Sequence, residues 1–181
     1  MKVHTTALEG VLVLEPAVFS DARGFFFESF HASAFRRATG VDAVFVQDNH
    51  SHSVRNVLRG IHYQVVRPQG KLVRVAGGRI LDVAVDLRRS SPTFARCAAV
   101  ELSAENRRQL WIPSGFGHGF LVLSDSADVL YKTTEYWYAE HDRGVLWSDP
   151  AIDIPWPLAG PPIMSQKDAA APTLSVAELF D

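Results

Sequence analysis

Cysteine is nearly absent from this sequence: Cys97 is the only one in 181 residues. That excludes an intrachain disulfide and any cysteine-based zinc site. Set in the apolar stretch Cys97-Ala98-Ala99-Val100, it reads as a small core residue. Long apolar runs are missing too, since no stretch approaches the ~20 residues of a membrane-spanning helix. Met1-Lys2-Val3-His4 also lacks the basic region and following apolar run of a signal peptide. The expectation is a soluble, cytoplasmic chain with no membrane partner. Nor is there an excess of one charge, because 18 basic and 20 acidic residues give a formal net charge of -2. A protein that holds nucleic acid through counterion release is usually clearly basic, so nucleic acid drops out as a partner. Lysine is scarce, 4 against 14 arginines. The arginine fork suits phosphate and carboxylate and so hints at a small anionic ligand, although a GC-rich codon bias gives the same excess.

Helix signals are few. His31 to Thr39, stopped by Gly40, is one candidate, and Ser175 to Phe180 is a second. What is present instead is a series of short alternating segments broken by turn residues. Val11 to Glu15, Ala43 to His50, Val57 to Gln64, Arg96 to Leu102, Arg108 to Ile112, Gly119 to Leu123 and Val129 to Thr134 all read as strands. Lys71 to Ala76 and Arg79 to Leu87, joined by Gly77-Gly78, read as a hairpin, because glycine supplies the positive φ of a two-residue turn. In its second arm Leu81, Val83, Val85 and Leu87 form a strongly apolar face, while Asp82 and Asp86 lie on the other. Eight or nine short strands predict an all-β sandwich or barrel with a few short peripheral helices. Pro150 to Pro172 holds six of the ten prolines and reads as an ordered irregular segment across the barrel. With no repeat, low-complexity tract or long linker, residues 1–181 are expected to form a single domain.

Three places put polar residues where an interior face is expected. On the strand Arg59-Gly60-Ile61-His62-Tyr63-Gln64, Gly60, His62 and Gln64 share a face, and the glycine permits a close backbone approach. His62 is then either a satisfied core histidine or a base projecting into a barrel. His118 stands between Gly117 and Gly119, which suggests crowding around its ring. Two histidines on neighbouring strands raise the question of a metal, but the pattern completes no three-ligand set, and no metal is expected. Asp168, in Ser165-Gln166-Lys167-Asp168, has the default reading of a cap or turn residue. Tyr131, in an alternating strand, is a core tyrosine whose hydroxyl needs a partner.

Seven segments in order resemble one family: RGFFFES (23–29), FVQDNHS (45–51), NVLRGIHYQ (56–64), GKLVRV (70–75), SPTF (91–94), IPSGFGHGF (112–120) and SQKDAAAP (165–172). Together they are similar to the dTDP-4-dehydrorhamnose 3,5-epimerases along nearly the whole chain. The resemblance implies a cupin-like jelly-roll barrel, a metal-free site without cofactor, and a homodimer that exchanges N-terminal strands. It implies a dTDP-4-keto-6-deoxy-hexose substrate inverted at C3 and C5. Carried over by position, the base is His62, its orienting carboxylate Asp168, the opposing acid Tyr131, and the cation at the substrate oxygen Lys71. Arg23, Glu28, Gln47, Asn49, Arg59 and Tyr136 match nucleotide and diphosphate positions, and His118 matches a histidine lining the pocket. Where the family often has Tyr-Tyr, this chain has Tyr136-Trp137, which keeps an aromatic face without the second hydroxyl. The alternatives are a mono-epimerase acting at C3 or C5, a metal-dependent cupin oxygenase, and a non-catalytic nucleotide-sugar-binding module.

Overall fold

Short alternating segments become strands where one face can be buried, and the chain forms thirteen strands, all but the exposed Phe19–Asp21 and Gly24–Phe26 belonging to two large sheets. The structure, a computed structural model, describes residues 1–181. In chain order the elements are β1 (Lys2–Thr5), β2 (Leu12–Glu15), β3 (Phe19–Asp21), β4 (Gly24–Phe26), α1 (Ala32–Thr39), β5 (Gln47–Val54), β6 (Leu58–Gln64), β7 (Lys71–Gly77), β8 (Arg79–Asp86), β9 (Cys97–Ser103), β10 (Gln109–Ile112), β11 (Phe116–Val122), β12 (Ser126–Thr133), β13 (Asp142–Gly144) and α2 (Gln166–Ala169). They form a six-stranded sheet, β1-β2-β10-β7-β12-β5, a five-stranded sheet, β13-β6-β11-β8-β9, and a separate two-stranded hairpin, β3-β4. Every strand pair is antiparallel. No helix is long and apolar enough to cross a membrane.

The two large sheets face each other over one apolar cluster. Val13, Val73, Val75, Leu110 and Val129 come from the six-stranded sheet, and Ile80, Leu102, Phe120 and Val122 from the five-stranded sheet. Along β7 and β12 the inward residues change from Val75, Val73 and Val129 to Lys71 and Tyr131. One end of the barrel is therefore sealed by hydrocarbon, while the other is polar and hollow.

The predicted hairpin across Gly77-Gly78 is not formed. β7 pairs with β10 and β12, whereas β8 pairs with β11 and β9 in the opposite sheet. The two glycines make a corner between sheets: Gly78 has φ +74°, and a Cβ there would stand 2.0 Å from the Ser126 carbonyl oxygen. Packing explains the outcome. Both arms carry an apolar face, and facing each other across the barrel buries more of it than lying edge to edge. The strongest apolar face of β8 also points outward. Val83, Val85 and Leu87 are covered by Ile152, Leu174 and Ala177, with Ile154, Trp156 and Phe180 packed at the margin.

Other boundaries moved as well. β5 begins at Gln47 rather than Ala43, and β11 begins at Phe116, which puts His118 in mid-strand. The predicted helix over Ser175 to Phe180 is absent. Its apolar residues lie on the five-stranded sheet instead, and Phe180 exchanges backbone hydrogen bonds with Leu87 and Arg89. α1 forms as expected. The His31 side chain accepts from the Ala34 N–H, and Gly40 ends the helix at φ 73°. Its buried Phe35 packs on Leu14, Leu72 and Trp111 on the outside of the six-stranded sheet.

Candidate active site

The hollow end of the barrel encloses a cavity of about 390 Å³. Gln47, Asn49 and Ser51 of β5, Lys71 of β7 and Tyr131 of β12 line one wall; Arg59, His62 and Gln64 of β6 and His118 of β11 line the other. His62 and His118 are directly opposite each other in the β6–β11 ladder. That ladder is unusually close at its centre. A Cβ on Gly60 would lie 2.5 Å from the Gly119 Cα, and one on Gly119 would lie 2.8 Å from the Arg59 carbonyl oxygen. The register breaks between His118 and Phe120 at the same point. Two facing glycines allow this irregularity, which places both imidazoles at the cavity.

His62 does not stand alone. Its Nε2 donates to Asp168 Oδ1 at 2.7 Å, while the Gly60 N–H donates to Asp168 Oδ2 at 3.2 Å. Asp168 arrives on α2, whose cap, Ser165, accepts the Asp168 N–H at 3.1 Å. Burial pushes the Asp168 carboxyl up, but His62, the Gly60 N–H and Ser165 together outweigh it and hold the group below the ordinary carboxylate range. An ionised Asp168 fixes the Nε2–H tautomer and leaves Nδ1 as the basic nitrogen.

A second pair stands beside the first. His118 Nε2 donates to Asp82 Oδ1, also at 2.7 Å, and both side chains are buried. Asp82 Oδ2 has no partner. His50 and His52, on β5, lie outside the cavity lining with both rings on Asp128, at 2.9 and 3.1 Å. No group of three histidine, cysteine or acidic side chains is arranged to hold a metal ion.

Lys71 and Tyr131 project from the six-stranded sheet toward these histidines. Lys71 is buried, with its Nζ 3.4 Å from the His62 carbonyl oxygen, to which it donates. Burial pulls its pKa down to about 8, against the opposing charges of Asp142 and Asp82. The Tyr131 hydroxyl is pushed up by burial, with Arg59 acting in the other direction. Its ring centroid is 6.3 Å from that of His118.

Of the residues singled out in the sequence, His62, Lys71, Tyr131, Gln47, Asn49, Arg59 and His118 line this cavity, and Asp168 supports it from behind His62. Three lie elsewhere in the chain. Tyr136 is exposed, and its neighbour Trp137 reaches the lining instead. Arg23, at the turn of the β3–β4 hairpin, pairs with Asp21 at 2.6 Å in full exposure. Glu28 lines a separate depression with Met1 and Phe19. Gln64 shares the cavity face with His62, as the strand pattern put it, whereas sequence reading missed Asp142 as a lining residue and Asp82 as the partner of His118. The Asp82 signal was available, a carboxylate on an alternating strand face, but nothing local identified its partner.

Two antiparallel sheets around a polar cavity, with a histidine–carboxylate pair facing a tyrosine, define a cupin-like barrel equipped for proton transfer on a small molecule. Residues 5–176 match the family described as dTDP-4-dehydrorhamnose 3,5-epimerase. The chain is 54% identical to the dTDP-4-dehydrorhamnose 3,5-epimerase of Salmonella typhimurium, covering 100% of both chains, and 53% identical to that of Pseudomonas aeruginosa, covering 99% of both. A solved Legionella pneumophila dTDP-6-deoxy-D-glucose-3,5-epimerase, in complex with dTDP-4-keto-L-rhamnose, superposes with a TM-score of 0.95 at 47% identity, covering 97% of this chain and 93% of that one. The chain belongs to the dTDP-4-dehydrorhamnose 3,5-epimerase family.

Proposed function

We propose that the protein inverts C3 and C5 of dTDP-4-dehydro-6-deoxy-D-glucose to give dTDP-4-dehydro-L-rhamnose, a step of dTDP-L-rhamnose biosynthesis. One observation carries this reading: His62, backed by Asp168, and Tyr131 enter one cavity from opposite sheets, and the buried Lys71 joins them from the wall that carries Tyr131. The C4 carbonyl acidifies the C–H bonds at C3 and C5, because loss of either proton leaves an enolate on the same oxygen. Inversion needs a base on one face of the ring and an acid on the other. Facing sheets stand about 10 Å apart, which leaves room for a sugar ring between the two groups.

His62 Nδ1 takes the proton, and Asp168 stabilises the imidazolium that results. Lys71 meets the negative charge growing on O4 in a water-poor setting, where such a contact counts most. Tyr131 returns a proton to the opposite face. Arg59, Gln47 and Asn49 hold the nucleotide diphosphate, and binding energy gathered there positions the sugar. The reaction is redox-neutral and moves only protons, so these side chains suffice without a cofactor. Tyr131→Phe separates the two halves of the mechanism. Exchange of the ring protons continues while inverted product falls by about 10²-fold or more; unchanged epimerisation excludes Tyr131 as the acid. Double inversion is favoured over single inversion by likeness: a solved 3'-monoepimerase from Streptomyces bikiniensis, in complex with dTDP-quinovose, is 37% identical, against 54% for the Salmonella typhimurium enzyme.

The working unit proposed is a homodimer with shared sites. β1 and β2 close on β10 of their own chain, which leaves β3–β4 as the N-terminal element free to reach a second copy. Its Phe19, Phe25 and Phe26 are 65%, 58% and 67% exposed, although Arg107 and the neighbouring Phe27 stack on the Phe25 ring. An aromatic surface of this kind is normally covered. A second copy accounts for Arg23 and Glu28 as well, since both family-matched ligand positions lie outside their own cavity. The check is subunit complementation. Arg23→Ala and His62→Asn chains, each inactive alone, regain activity when mixed and reassembled, whereas lasting inactivity of the mixture rejects shared sites.

A further inference from the structure

Resting on the double-epimerase reading, one base must remove two protons per turnover. After the first, His62 is an imidazolium and cannot act again until it sheds that proton. With the sugar over His62 and the nucleotide across Arg59 and Asn49, the front cavity is filled by substrate. A different exit is required.

A second cavity of about 250 Å³ lies on the far side of β13, behind the pair. His62 and Asp142 belong to the lining of both cavities. The register explains why. Gly144 is opposite His62 and Asp142 is opposite Gln64, so His62 and Asp142 are diagonal neighbours on one sheet face. Diagonal pairs stand about 7–8 Å apart, a gap that one water can bridge. Gly144 borders this passage, and a Cβ there would take up part of it, 3.3 Å from the Ile61 carbonyl oxygen, 3.7 Å from the Ala171 Cβ and 3.9 Å from His62 Cδ2. The rear cavity has room for several waters at ~30 Å³ each, and Asp168, Glu178 and Lys167 offer them hydrogen bonds. Lys167, more than half exposed, donates to Asp142 Oδ2 and ties that carboxylate to the solvent side.

We infer that Asp142 is the proton outlet of the active site, taking the abstracted proton from His62 through a bridging water and passing it to the rear cavity. In each cycle the C–H electron pair stays on the sugar as the enolate, and the proton moves to His62 Nδ1. It then moves through water to the Asp142 carboxylate, and from there to rear-cavity water and bulk. His62 ends neutral and Asp142 ionised, ready for the second carbon. Tyr131 supplies the new proton from the other face and is refilled from a further cavity of about 230 Å³ that it also lines.

The test is single-turnover labelling in D₂O with enzyme in excess over dTDP-4-keto-6-deoxyglucose, timing deuterium at the first carbon and at the second. Asp142→Asn is expected to keep the first labelling while slowing the second by about tenfold or more relative to it. Sodium formate, a small soluble proton acceptor, restores the second step in proportion to its concentration, and Asp142→Glu behaves as wild type. Ala171→Leu narrows the rear cavity and leaves Asp142 and Asp168 unaltered; it slows the second labelling alike, with no response to formate. An Asp142→Asn enzyme that slows both labels equally and ignores formate overturns the outlet, as does an Ala171→Leu enzyme with wild-type timing. Wild-type protein that labels neither carbon overturns the epimerase reading itself, and is distinguished by that from failure of the outlet alone.

Discussion

His62–Asp168 and His118–Asp82 are the same contact made twice, with Nε2 to Oδ1 at 2.7 Å in both and the two histidines opposite each other on adjacent strands. Their surroundings differ. His62 is 36% exposed at its side chain and touches two cavities, and both oxygens of Asp168 are occupied, one of them by the backbone of Gly60. His118 and Asp82 are buried together, and one Asp82 oxygen has no partner. A histidine that must gain and lose protons needs a route to water and a carboxylate whose charge is already stabilised. A histidine that only presents an N–H or a ring to the substrate does not. The geometry of a histidine–carboxylate contact therefore says little about its role; its access to solvent says more.

Removing the charge behind each histidine sharpens this contrast. The largest effect is expected for Asp168→Asn, which frees His62 to adopt the wrong tautomer and lowers kcat by about 10²–10⁴-fold with a small change in Tm. Steady-state kinetics beside thermal unfolding reads both, and an enzyme that loses stability more than rate reverses the assignment. Lys71→Met comes next, at about 10²–10³-fold in kcat. The sign of the accompanying pH effect follows from the charged form being the useful one. Lys71 titrates at about 8, so the wild-type rate falls as pH rises through that value. In Lys71→Met the remaining activity loses this alkaline limb. The smallest rate effect belongs to Asp82→Ala, which leaves a buried imidazole N–H unpaired and costs about 1–3 kcal/mol of stability. Because the Asp82 charge also raises the Lys71 pKa, the alkaline limb moves to lower pH. A kcat loss as large as that of Asp168→Asn makes the two pairs functionally equivalent and breaks the comparison.

Much of the barrel was legible because alternation reports burial, and β2, β6, β9, β10 and β12 lie within a few residues of where the pattern put them. Gly77-Gly78 misled because turn chemistry states that the chain bends, not which sheet it enters. The Ser175 to Phe180 helix failed for a related reason: its apolar spacing served a tertiary contact with the outer face of β8 rather than a helical stripe. At the site, His62, Lys71 and Asp168 were legible through the motifs that carry them, and Tyr131 through its place in an alternating strand. The His62–Asp168 contact spans 106 residues and no local rule reports it. Asp142 was invisible because its strand, β13, is three residues long and carries no alternation of its own. Arg23 and Glu28 show the converse limit, since their motif was clear while their place in the fold depends on a second chain in the reading proposed above.

The most direct measurement of the central claim is deuterium incorporation by NMR, with the purified protein and dTDP-4-keto-6-deoxyglucose in D₂O and His62→Asn in parallel. Label at both C3 and C5 with wild type, and at neither with His62→Asn, is the predicted result. Label at both carbons at the wild-type rate in His62→Asn contradicts the account, because the base would then lie elsewhere in the cavity.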